Sequence, residues 1–193
     1  MDSGKRLRGP SNGDLPAYFY RLSQAAQSAF LKSDAIERID LSPTPQALRL
    51  TAALIAALGG SNPRATTRAA QALSDELCRS LGLRAPAVTV DTVRPRNARG
   101  ELHGIFYPSA RPRIVLWMRT AARHDVVKPR MFLRTLMHEL GHYFDYALLG
   151  LGESFHTSGF FKRESSLMNA LAGALAEGDT RIASRPSSER RQR

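Results

Sequence analysis

Apolar residues recur at three- and four-residue steps over much of the chain, and the exceptions are confined to one central stretch. Tyr18, Leu22, Ala25, Ala26, Ala29 and Phe30 predict a helix over residues 15–39. A Ser-Pro-Thr-Pro turn at residues 42–45 follows, with Thr44 placed to cap a second helix, Pro45 at its first position and Gly59-Gly60 to stop it. This helix is apolar on most faces, so it is expected to be buried. A third helix runs over residues 63–81 and ends at Gly82. The period then switches to two: residues 86–93, 101–107 and 113–118 read as three strands, joined by loops rich in Arg, Pro and Gly. Helical spacing returns over residues 129–149 and, past a Gly-Leu-Gly loop, over 158–176. Helices, then about three strands in an antiparallel or mixed sheet, then two helices define an α+β class.

Composition adds limits. The chain has 193 residues, 42% of them hydrophobic, enough for a core without disulfides or metal. Its single cysteine, Cys78, excludes an internal disulfide and suits a reducing compartment, so a cytoplasmic setting is expected. The most apolar window, residues 48–58, is interrupted by Arg49 and Thr51 and falls short of the ~18 residues a membrane span needs. No apolar stretch follows the N-terminal charges, so no secretory signal is expected. Residues 1–14 and 178–193 read as disordered tails, the second of them basic; between them a helical segment, 15–62, precedes the candidate functional core, 63–177. The net charge of +11 would suit nucleic-acid contact through a basic surface, although 24 of the 28 cations are arginines in an alanine-rich chain, a bias codon usage also produces.

Candidate chemistry lies in the fourth helix. His138 and His142 are four residues apart, which on a helix is about one turn, so both imidazoles leave the same face and can share one ion. Leu133, Leu136, Met137, Leu140, Phe144 and Ala147 supply the apolar stripe that anchors the helix. Glu139, turned about 100° from His138, is poorly placed as a ligand but can reach a water bound to the metal, as the zinc-hydrolase pattern of two histidines and a glutamate base requires. A catalytic zinc needs a third protein ligand. His156 and Glu164 compete for that place. His156 is preferred because imidazole suits zinc and a loop position can swing toward the ion; Glu164 reads otherwise as an ion-pair partner of Lys162, Arg163 or Arg134, or as a partner behind a ligating histidine. Asp145, on the ligand face, is a candidate to orient an imidazole through its second nitrogen. His103 and His124 are placed outside the site, Tyr143 and Tyr146 are left unassigned, and Trp117 is assigned to the core.

Through His138-Glu139-Leu140-Gly141-His142 and the strand-then-helix order around it, the sequence resembles the zincin metallopeptidases. Within that clan, His156-Thr157-Ser158-Gly159-Phe160-Phe161-Lys162 is similar to the segment of SprT-like and Spartan-type proteases that carries the third histidine, with Thr157 where those proteases have glycine. The similarity covers about residues 64–176. It implies a minimal zincin core of helix, sheet, active-site helix and following helix with an N-terminal helical extension. It also implies zinc held by His138, His142 and His156, Glu139 as general base, and a protein or peptide substrate lying along an edge strand, for which residues 113–119 are the candidate. With Glu164 as ligand instead, the chain would resemble a small gluzincin. The rival from another class is a non-catalytic, basic nucleic-acid-binding or scaffold protein with a structural or degenerate metal site.

Overall fold

Among the described residues, four of the five α-helices start at the same device, a short polar side chain that accepts a hydrogen bond from the backbone N–H three residues on. Ser23 caps α1 (Gln24–Ala35), Thr44 caps α2 (Pro45–Gly59), Asn62 caps α3 (Pro63–Ser80) and Thr157 caps α5 (Ser158–Ala170). The remaining helix, α4 (Pro129–Ala147), relies on proline at its first position. The computed structural model describes residues 15–98 and 100–172; the two tails predicted at residues 1–14 and 178–193 lie outside them. α3 closes with paired bonds from Gly82 N–H to the Arg79 carbonyl and from Leu83 N–H to the Cys78 carbonyl, which satisfies carbonyls a helix end otherwise leaves open.

The N-terminal helix is shorter than its apolar spacing predicts. Ser23 captures the Ala26 N–H and sets the start of α1 there, leaving only a 3₁₀ turn at Phe19–Arg21 upstream. At the other end Ile36 is extended, which stops α1 before residue 39. The second expected strand is also divided: Gly100–Glu101 (β3) pairs with Arg96–Asn97 (β2) in a separate hairpin, and only Gly104–Tyr107 (β4) enters the main sheet.

That sheet has the order β1 (Ala87–Val93), β5 (Arg113–Arg119), β4, with β1 parallel and β4 antiparallel to β5. The architecture is therefore α+β with a small mixed sheet. β5 is central, so the expectation that residues 113–119 form the substrate edge is overturned: pairing with Ala87–Val93 on one side and Gly104–Tyr107 on the other uses both of its edges. Five consecutive buried residues, Ile114 to Met118, reflect that position.

The two outer edges are treated differently. Along β1, the Gln71 side chain accepts from the Val88 N–H at 2.7 Å and Thr67 Oγ1 accepts from the Val90 N–H at 2.9 Å, so α3 closes this edge. β4 faces α4. The core lies between α2, α3, the sheet and α4, where Leu54, Leu73, Leu77, Ile114, Leu116, Leu136 and Phe144 are completely or almost completely buried. α5 adds Leu167 and Met168 from the side, and Leu171, which caps its C-terminus, joins them. Among the described residues no helix is long and apolar enough to cross a membrane.

Candidate metal centre

The apolar stripe of α4 is buried at Leu133, Leu136, Met137, Leu140 and Phe144, though Ala147 at its C-terminal end is exposed, and His138 and His142 leave the helix beside it. α4 ends at Ala147, and the chain returns through a loop that brings Ser154 and His156 back over the same helix face before Thr157 caps α5. The Nε2 atoms of His138, His142 and His156 form a near-equilateral triangle with sides of 3.2, 3.1 and 3.0 Å. Buried Phe160 lies against all three rings, its centroid 4.6 to 5.3 Å from theirs, and stacks on that of His142.

The chemistry of this donor set fits a divalent ion. Zinc bound tetrahedrally by nitrogens at 2.0–2.1 Å places them about 3.3 Å apart, within a few tenths of an ångström of the triangle seen here. Behind the triangle, His138 Nδ1 is 2.9 Å from Glu164 Oε2 and His142 Nδ1 is 2.7 Å from Ser154 Oγ. A carboxylate can only accept, so His138 carries its proton on Nδ1 and turns a bare Nε2 lone pair inward. Ser154 donates its only proton to Asp145 Oδ2 at 2.6 Å and so must accept from His142, which gives that ring the same tautomer. Two lone pairs therefore converge on one point, as two ligands of a single ion must. Burial and the neighbouring His138 and His156 push the affinity of His142 for a proton down to about 3, which keeps the ring in the form a metal requires.

Glu139 lies in the wall of the same cleft, 5% exposed. Burial lifts its carboxyl to about 7, against the pull of His138 and of a hydrogen bond from the Phe106 N–H of β4. Because that N–H points at Glu139 and backbone groups alternate along a strand, the main-chain groups of Phe106 and Gly104 face the cleft, the Phe106 N–H being taken by Glu139, while Ile105 and Tyr107 face β5.

Of the two candidate third donors, the structure brings His156 to the other imidazoles. Glu164 sits on the far side of the His138 ring, with its second oxygen 3.2 Å from Arg134. Asp145 reaches His142 only through Ser154 and is itself held by Arg163 at 2.8 Å. His103 lines the cleft and His124 occupies a left-handed turn after β5; neither belongs to the triad. Tyr143 packs against the base of the cleft wall and donates to the Arg84 carbonyl, and Trp117 is buried as expected. Sequence reasoning missed Ser154, Phe160 and Arg163. Nothing in the local pattern marks Ser154, but an arginine inside the buried face of a helix, as Arg163 is in α5, signals a carboxylate partner.

Compared with known proteins, the chain matches no family model, no curated protein and no solved structure.

Proposed function

We propose that this chain is a cytoplasmic, zinc-dependent metallopeptidase of zincin type, nearest in its residue pattern to the SprT-like proteases. The observation that carries the reading is the triangle of three Nε2 atoms with a buried carboxylate, Glu139, beside it. Zinc in such a site supplies a Lewis acid that makes water a usable nucleophile near neutral pH.

The residues of the chain supply the rest. His138, His142 and His156 hold the ion, two of them with their tautomers fixed from behind. Glu139, with a proton affinity raised by burial, accepts a proton near neutral pH and can return it to a leaving amine. β4 aligns the substrate. With β1 closed off by Gln71 and Thr67, the main-chain groups of Gly104 and the carbonyl of Phe106 form the sheet edge beside the histidines, and an extended peptide is the ligand class that pairs with such an edge.

The test is metal analysis of the purified protein together with two variants. One zinc per chain is expected in the wild type, and His138→Ala should lose it. Glu139→Gln should keep the metal and lose hydrolysis of a denatured protein substrate by about 10²–10⁴-fold. A well-folded Glu139→Gln that still cleaves at the wild-type rate rules out the proposed base.

A further inference from the structure

Behind the histidines lies a chain of buried polar groups that metal binding alone does not call for. Ser33 and Asp145 are fully buried and Arg163 is 1% exposed. The Arg163 guanidinium donates to Asp145 Oδ1 at 2.8 Å and to Ser33 Oγ at 2.9 Å, and it also reaches the carbonyls of Ser33 and Ile36 at the C-terminal end of α1. A cation there meets the negative end of the helix dipole as well as the carboxylate. Asp145 then takes the only proton of Ser154, and Ser154 in turn accepts from His142 Nδ1. An internal ion pair serves stability no better than apolar packing would. This one ends on a ligand nitrogen.

α1 itself is fitted closely to the segment that carries His156. A Cβ on Gly159 would lie 2.4 Å from the carbonyl oxygens of both Ser33 and Asp34, so only glycine lets α1 come this near α5. The Gly159 N–H donates to Asp34, the hydroxyls of Ser33 and Thr157 are bonded, and the rings of Phe30 and Phe155 are 5.6 Å apart. Residues on both sides of His156 are thus held by the N-terminal helix.

We propose that Arg163, Asp145 and Ser154 are positioning residues that fix His142 in the Nδ1–H tautomer, and that docking of α1 on α5 keeps this relay in register. The proposal takes its purpose from the metal-centre reading above, but its geometry can be tested without metal.

In the full chain labelled with ¹⁵N-histidine, long-range ¹H–¹⁵N correlation of the metal-free protein reads the tautomer, and competition with a chromophoric chelator reads zinc affinity. Wild-type protein should show His142 protonated at Nδ1. Ser154→Ala should lose that preference and bind zinc about 10–100-fold more weakly, and Ser154→Thr, which keeps the hydroxyl, should restore both. Gly159→Ala, which alters no ligand and no member of the relay, should weaken zinc binding by about tenfold, the lower end of that range. An unchanged tautomer and unchanged affinity in Ser154→Ala overturn the relay. The same pair of results in Gly159→Ala overturns the part given to α1. A wild type that binds no zinc, yet loses the Nδ1–H form only in Ser154→Ala, removes the metallopeptidase reading and leaves the relay standing.

Discussion

Glu164 shows how one residue changes meaning with the atom it faces. Its Oε2 is 2.9 Å from His138 Nδ1 and its Oε1 is 3.2 Å from Arg134, and at 5% exposure it leaves little room for any other role. A carboxylate behind a ligating imidazole fixes the ring and raises its basicity, and removing it costs metal affinity without removing a ligand. Glu164→Ala is therefore expected to weaken zinc binding by about 10–100-fold, and Glu164→Gln by less, since an amide oxygen still accepts from Nδ1. Complete loss of zinc in Glu164→Gln, as in His138→Ala, would instead mark it as a ligand. The sequence made the first half of this legible: the four-residue spacing of His138 and His142 needs only helical geometry. Between His156 and Glu164 it offers only a preference for His156 from ligand chemistry. Both lie close to the start of α5, and the choice depends on how the loop through Ser154 folds back on α4, a tertiary fact that no local spacing encodes.

At the level of elements, β4 is the edge to which the proposed function assigns the substrate, and it can lie against α4 only because residue 104 is glycine. A Cβ there would lie 2.7 Å from Thr135 Cγ2 and 2.8 Å from Glu139 Oε1, so Thr135, Glu139 or β4 itself would have to shift. Gly104→Ala is expected to cost about 1–3 kcal/mol of stability by overpacking. It should also lower kcat/KM on a peptide substrate at least tenfold while zinc content stays at one per chain. Unchanged cleavage would remove β4 from the substrate path. The helices were readable because their caps are local: Thr44, Asn62 and Thr157 each act within three residues. Sheet order was not readable in the same way. Alternation tells which face of a strand is buried but not which strand lies beside it, and the edge expected at residues 113–119 rests on the resemblance to zincins alone. A usable signal was present, since the unbroken apolar run Ile114 to Met118 is the mark of a strand covered on both faces.

Across the whole molecule, the three histidines come from two elements, α4 and the entry of α5, that already meet in the core through Leu167 and Met168 and in the Arg163–Asp145 pair. His138 and His142 stand on α4, whose apolar side belongs to the central core with α2, α3 and the sheet. His156 belongs to the entry of α5, which carries α1 through Arg163 and Gly159. An ion bound to all three therefore ties the α1–α5 flank to the core, although the core closes without it: Leu54, Leu73, Leu116 and Leu136 are buried with no ligand residue among them. Metal removal should then lower stability without unfolding the protein. With free zinc 100-fold above Kd, binding to the native state alone adds about 2.7 kcal/mol. For a chain of this size each kcal/mol moves Tm by about 2–4 °C, so chelation should lower Tm by roughly 5–10 °C. Below that midpoint the far-UV circular dichroism should be unchanged, and amide exchange should quicken first in α1 and in residues 154–163, the side reached through His156. Loss of helical signal on chelation at 25 °C would mean that the ion organises the fold itself. An identical Tm with and without chelator, at a zinc content of one per chain, would mean that the unfolded chain holds the ion as tightly as the folded one, and would sink the idea that these elements build the site.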